Sequence, residues 1–261
     1  MGFHEPKAAL VIAHPGHELR VYHWLETTRP LVFVLTDGSG RSGISRLSST
    51  TRLLDRVGAR AGSIYGRITD ADAYSALLER DFEKFTSLAR ELASQLRDRE
   101  IELVAGDALE GYNPTHDVCR LIINTAVNLA NKSGGRQIGN FDFPLTGAPD
   151  VADQNGCVKL QLDDEAFQRK MSAARGYAEL DAEVDAAIRK NRLEAFKSEC
   201  LRPVIATEAV DLNEKPYYER YGEEQVAAGH YSHVIRYREH FGPLVEAMAQ
   251  IDREVARASC P

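Results

Sequence analysis

The stretch Ala8-Ala9-Leu10-Val11-Ile12-Ala13-His14-Pro15-Gly16-His17-Glu18 decides the fold. Its first half is an unbroken apolar run, which reads as a strand buried on both faces in a parallel sheet. The polar cluster follows at once and so emerges at the strand's carboxyl end, where open α/β sheets place their ligands. His14 and His17 set two imidazoles three residues apart at that end, which suggests a metal. Another strand-like run, Ile101 to Ala105, leads into Glu110-Gly111-Tyr112-Asn113-Pro114-Thr115-His116-Asp117. His116 can complete a three-histidine catalytic zinc site with one coordination position left for water. Taken singly, each histidine has an ordinary alternative reading as a partly buried hydrogen-bonding residue.

The same residues carry a family likeness. Ala13 to Glu18 resembles the Ala-His-Pro-Asp-Asp-Glu signature of the LmbE/PIG-L family of zinc-dependent N-deacetylases. Asn113-Pro114-Thr115-His116 resembles that family's second signature, His-Pro-Asp-His. Val32 to Gly38 adds to the likeness, which spans roughly residues 1–145. The resemblance implies a Rossmann-like α/β fold, a mostly parallel sheet flanked by helices, and an activity that removes the acyl group from an N-acylated sugar or sugar conjugate through metal-activated water. It also implies that His14, His17 and His116 hold Zn2+ or another divalent metal. His17 then replaces an aspartate ligand, and imidazole serves zinc as well as carboxylate does. Gly16 stands where the family carries the aspartate taken as general base. Asn113 replaces a histidine assigned to the transition state, and Thr115 the aspartate between.

A hydrolase built this way needs a carboxylate from outside position 16. Asp37, at the end of an expected strand over Leu31 to Leu35, is the first candidate because strand ends converge on one rim. Glu110 and Asp117, flanking His116, come next, and Glu18 reads as a partner that orients a ligand. The opposing class is a catalytically altered family member that serves as a ligand-binding or regulatory module, which the loss at Gly16 favours. A nucleotide-binding protein is a third reading, but it lacks the dinucleotide fingerprint.

At 261 residues the chain suits one α/β domain, with a core over about residues 1–145 and a helical and loop elaboration over 146–261 that forms part of the pocket. A content of 27% charged and 43% hydrophobic residues is that of a soluble globular protein. The net charge of −7 removes the usual electrostatic footprint of a nucleic-acid binder. Cys119, Cys157, Cys200 and Cys260 are widely spaced and read as reduced thiols. The apolar run at Ala8 is too brief for a secretory signal, and no run approaches the ~20 residues of a membrane span. The expectation is a cytoplasmic protein with a small-molecule carbohydrate substrate, no nucleic-acid or membrane partner, and homo-oligomerisation left open.

Along the chain, Leu19 to Glu26 has helical spacing and is closed by Pro30; His23 lies on that helix face. The glycine-rich loop Asp37 to Gly43 reads as a site rim from which Arg41 contacts substrate, with a phosphate cradle as the alternative. Ile44 to Val57 can be helical, and the apolar stripe of Ala71 to Arg99 predicts one long helix. A helix over Thr115 to Ala130 has Pro114 in its first turn, so its positive end favours hydroxide or an oxyanion near His116. Val158 to Leu162 alternates as a strand, Asp163 caps a following helix, and Ala166 to Lys197 reads as mostly helical. The segment Tyr217 to His240 holds five tyrosines and three histidines. Its flat rings with polar tips suit a hydroxylated ring, so it is expected to fold over the zinc rim, with Tyr112, His230 and Tyr231 contacting substrate. The alternative is that these tyrosines only seal the sheet edge.

Overall fold

The computed structural model describes residues 7–133, 136–147, 156–204 and 214–258. Strands β1 (Ala8–Ile12), β2 (Leu31–Thr36), β3 (Arg60–Ile68), β4 (Leu103–Asp107), β5 (Gly139–Phe143), β6 (Val158–Gln161) and β7 (Ser198–Pro203) form one open sheet in the order β3-β2-β1-β4-β5-β7-β6. β1 to β5 run parallel, whereas β7 is antiparallel to β5 and β6 is antiparallel to β7. The chain winds outward from β1 through β2 to β3, then returns to place β4 on β1's other side. The carboxyl ends of β1 and β4 therefore bound the crevice where such a sheet binds ligands.

Every residue of β1 is buried, because helices cover both faces. Around the sheet lie α1 (Tyr22–Thr28), α2 (Leu47–Val57), α3 (Asp70–Glu79), α4 (Phe82–Asp98), α5 (Pro114–Lys132), α6 (Asp164–Arg175), α7 (Asp181–Asn191), α8 (Tyr217–Ala227) and α9 (Gly242–Ala258). Alternation along β1 sends Ala9 and Val11 to one core with Phe85, Leu92, Ile122 and Ile123 of α4 and α5. Leu10 and Ile12 join Trp24, Leu53, Leu54, Tyr177 and Leu180 on the other side. Leu244, Met248 and Ile251 of α9 belong to the first core, so the carboxyl-terminal part of the chain packs directly on α4 and α5.

The structure departs from the sequence expectations at four places. The single helix over Ala71 to Arg99 is two helices, because Arg80 adopts a left-handed conformation (φ 59°) and its N–H turns back to the carbonyls of Ala76 and Leu77. A capping box between Thr69 and Asp72 starts the first of them. The half-exposed β3 escapes an apolar-run reading, and β7 lies just past a region read as helical. β4 also extends to Asp107, two residues beyond its expected end. Cys119, Cys157 and Cys200 are free thiols, while Cys260 lies outside the described residues.

One buried ion pair ties the antiparallel edge to the first helix. Lys170 of α6 donates to Glu199 of β7 at 2.9 Å, with both side chains almost fully buried. Glu199 also accepts the N–H groups of His23 and Trp24, satisfying the free amino end of α1. Burial pushes the Lys170 ammonium pKa down, and the Glu199 carboxylate opposes that shift. Removing one partner strands the other charge in the interior. Glu199→Ala is therefore expected to cost about 3–5 kcal/mol, read by urea denaturation. A change below about 1 kcal/mol shows that the pair is not a structural tie.

Candidate active site

The centre of the site is assembled from strand ends. Ala13, immediately after β1, donates its N–H to Asp107 Oδ2 at 2.7 Å, and the Thr36 N–H at the end of β2 reaches the Ala13 carbonyl at 2.9 Å. These bonds hold the peptide before His14 between its two neighbouring strands. The His14 Nδ1 lies 2.7 Å from Thr36 Oγ1 and 2.9 Å from Asp70 Oδ1. His17 Nδ1 lies 2.8 Å from Asp107 Oδ2. His116 sits in the first turn of α5, whose start is capped by Asn113 accepting from the Thr115 N–H at 2.8 Å.

The three imidazoles meet edge to face. Ring centres are 5.2 Å apart for His14–His17, 5.0 Å for His14–His116 and 4.6 Å for His17–His116. Burial pushes the pKa of His14 down, with the hydrogen bond it donates to Asp70 opposing the effect and the neighbouring His17 adding to it. Burial, then the charges of His17 and His14, push His116 well below the usual histidine range. Neutral rings are the form that binds metal. For Asp70, burial alone would raise the carboxyl pKa, but the His14 bond, Thr36 and the Gly40 N–H outweigh it and hold it well below the usual carboxylate range.

The donor set fits a zinc-like ion on two observations. Imidazoles sharing a tetrahedral ion at Zn–N distances near 2.0–2.1 Å place their ring centres about 5 Å apart, the spacing of these three rings. Carboxylates engage Nδ1 of His14 and His17, leaving Nε2 as their donor atom, and the buried Nδ1 of His116 has no hydrogen-bond partner. As the side chains stand, no group of three or more His, Cys, Asp or Glu among the described residues forms a ready metal cluster. The fit therefore rests on ring spacing and committed nitrogens, not on a closed cage.

A cavity of about 760 Å³ opens over the three rings. Asp70, Arg46, Tyr112, Asn113, His230, Tyr231 and His233 share its wall with the histidines, so the carboxyl-terminal segment reaches the same space as the strand ends. The other sequence candidates stand off that wall. Asp37 Oδ1 accepts from the N–H and hydroxyl of Ser39. Glu110 accepts from the N–H groups of Leu145 and Thr146. Asp117 accepts from the N–H groups of Glu110 and Gly111, and burial pushes its pKa up to about 7. The side chain of Arg41 lies outside the described residues.

Glu18 is fully buried and its carboxylate is directed to the loop and not to an imidazole. It accepts from the Gly16 N–H at 2.7 Å and from the Tyr177 hydroxyl, so it fixes the loop between His14 and His17. Gly16 has φ 107°, and a Cβ there would meet Leu180 Cδ1 at 2.3 Å. A side chain at position 16 is therefore strained by the backbone and would have to displace the Leu180 methyl.

Sequence reading missed Asp107, Asp70 and Arg46. Asp107 was within reach of the strand-end argument, had β4 been carried two residues further. Asp70 follows the unread β3, and Arg46 carries no signal in a chain with many arginines.

No family model matches the chain, and no curated protein does. Solved structures do match. The A40926 pseudoaglycone deacetylase Dbv21 is similar over 79% of this chain and 100% of its own, at 20% identity and a TM-score of 0.54. The zinc-inhibited form of the teicoplanin deacetylase Orf2 is similar over 77% and 99%, at 14% identity and a TM-score of 0.52. The conserved protein TT1542 from Thermus thermophilus is similar over 80% and 99%, at 16% identity and a TM-score of 0.50. The chain thus shares the α/β fold of these solved structures, two of which are deacetylases.

His14→Ala and His116→Ala are each expected to abolish stoichiometric Zn2+ or Co2+ uptake, measured by metal analysis after dialysis, with an unchanged far-ultraviolet spectrum. Retention of metal in both variants removes the site.

Proposed function

We propose that the protein is a metal-dependent amide hydrolase, an N-deacetylase acting on an N-acylated sugar or sugar conjugate. The observation that carries this reading is the convergence of His14, His17 and His116 under a cavity at the sheet's switch point, two of them backed by carboxylates. The deacetylase fold of the solved structures supports the choice of reaction. A zinc or other divalent ion held there supplies an activated water and polarises the amide carbonyl.

The chain's own residues do the rest. Asp70 and Asp107 are positioning residues that fix the tautomer and tilt of His14 and His17. Gly16 carries no carboxylate, so water activation does not use that position. Asp70 is the carboxylate on the cavity wall. Arg46, whose Nε donates to the Gly38 carbonyl at 2.6 Å, presents a guanidinium to the same space and suits the polar groups of a sugar. Asn113 is held as a helix cap with its side-chain oxygen committed, and it contributes to the wall beside His116.

The lack of a carboxylate at position 16 also supports the second reading, a ligand-binding module with the same pocket and no turnover. Acetate release from N-acetylglucosamine and from its para-nitrophenyl β-glycoside, with Zn2+ or Co2+ present, separates the two. Release that disappears in His116→Ala is the expected result; binding of either compound without release establishes the module.

Asp107→Asn is expected to weaken metal affinity about 10–100-fold, with turnover falling in parallel at limiting metal. Asp37→Asn is expected to keep turnover within about tenfold, because its carboxylate is spent on Ser39; a loss of about 10²-fold would give it the base's role.

A further inference from the structure

The outer wall of the cavity is an array of tyrosines that the hydrolytic centre does not use. Tyr112 and Tyr217 stack with ring centres 4.8 Å apart and planes within 5°. Tyr217 continues onto Tyr221 at 5.9 Å and 19°, and Tyr231 meets Tyr221 edge-on at 6.4 Å. All four line the cavity that contains the histidines.

Burial of an aromatic ring is among the larger stabilising contributions a side chain makes, yet Tyr112 is 48% exposed and Tyr217 43% exposed. They are the two aromatic side chains among the exposed large hydrophobic residues described. The pair is also rigidly mounted. Asp117 holds the Gly111 N–H, the Tyr218 N–H donates to the Gly111 carbonyl at 3.2 Å, and Gly111 itself is left-handed (φ 63°) against Pro216. The loop that carries Tyr112 and the helix start that carries Tyr217 are thus clamped to each other. A fixed, stacked and half-exposed pair of rings at a cavity mouth is a preformed face for another flat ring, and preorganisation is what makes such a face worth affinity.

We propose that this stack is a second subsite, so that the ligand is a two-ring conjugate: one ring carries the acylated amine over the histidines, and a second flat ring extends the stack on the exposed side of Tyr112, which Tyr217 backs. The cavity volume, about 760 Å³, is in the upper part of the ~300–1,000 Å³ range of small-molecule sites and suits such a ligand. His230, Ser232 and His233 border the same space and supply polar partners for hydroxyls around the rings. The second ring is a pyranose or an aromatic group, since both present a flat face that packs on tyrosine. The placement of the first ring rests on the amide-hydrolase reading; the stacking subsite stands on the ring geometry alone.

Calorimetric binding of three probes tests it: N-acetylglucosamine, N,N'-diacetylchitobiose and the para-nitrophenyl β-glycoside of N-acetylglucosamine. Wild-type protein is expected to bind at least one two-ring probe about tenfold more tightly than the one-ring probe. Preference for the chitobiose assigns a sugar to the outer subsite, and preference for the nitrophenyl glycoside an aromatic group. Tyr217→Ala is expected to erase the advantage and Tyr217→Phe to keep it. Tyr217 is half-exposed, so neither change opens the core. Equal binding of all three probes, or an advantage that survives Tyr217→Ala, overturns the subsite. Acetate release is scored separately: no release from any probe, with the advantage intact, defeats the hydrolase reading and leaves the subsite standing.

Discussion

The site depends on one carboxylate, that of Asp107 at the end of β4. Its Oδ2 accepts both from the Ala13 N–H and, at 2.8 Å, from His17 Nδ1, joining the two strands that border the switch point and aiming one imidazole of the cluster. Beneath it, the fully buried Arg120 donates to the Asp107 carbonyl and reaches the Phe141 carbonyl and Asn140 on β5. The position of His17 is thus referred to three adjacent strands. The second carboxylate oxygen is buried without a hydrogen-bond partner, so Asp107 keeps acceptor capacity at the floor of the site.

A second carboxylate repeats the arrangement on the opposite side. Asp70 binds His14 Nδ1, Thr36 and the Gly40 N–H, tying the end of β2, the glycine-rich loop and the start of α3 to one imidazole. Two His–Asp pairs therefore face the third histidine, with one carboxylate behind each of His14 and His17. Asp107 places a carboxylate one hydrogen bond from His17 and fixes the orientation of its ring. The left-handed backbone at Gly16, with the Leu180 methyl packed over it, makes the first motif part of the packing around it.

The carboxyl-terminal segment shapes the mouth without contributing to the three-histidine floor. Glu219 of α8 accepts the Tyr237 N–H and pairs with Arg236, and Glu223 bonds the same arginine, so the chain between α8 and α9 is braced against α8. Tyr218, Ile235 and Phe241 enter the core that α4 and α5 form with the sheet. The tyrosines and histidines at the mouth consequently sit on a scaffold continuous with the floor.

By itself the sequence determined β1, β2, most of β4 and the start of α5, because buried parallel strands are continuous apolar runs and Pro114 after Asn113 is a local helix-start signal. From those elements it also determined that His14, His17 and His116 lie at strand or helix ends on one side of the sheet. Only the tertiary structure decided what surrounds them. β3 is half-exposed and lacks a continuous apolar run, so Asp70 could not be placed; the break at Arg80 is a left-handed residue that no apolar stripe records. The hydrogen bonds of Asp37, Glu110 and Asp117 with loop amides, and those of Asp70 and Asp107 with imidazoles, join residues from separate turns, loops and strands. Periodicity and local signals report the burial and conformation of neighbouring residues, whereas the partner of a carboxylate is fixed by which strand ends the sheet order brings together.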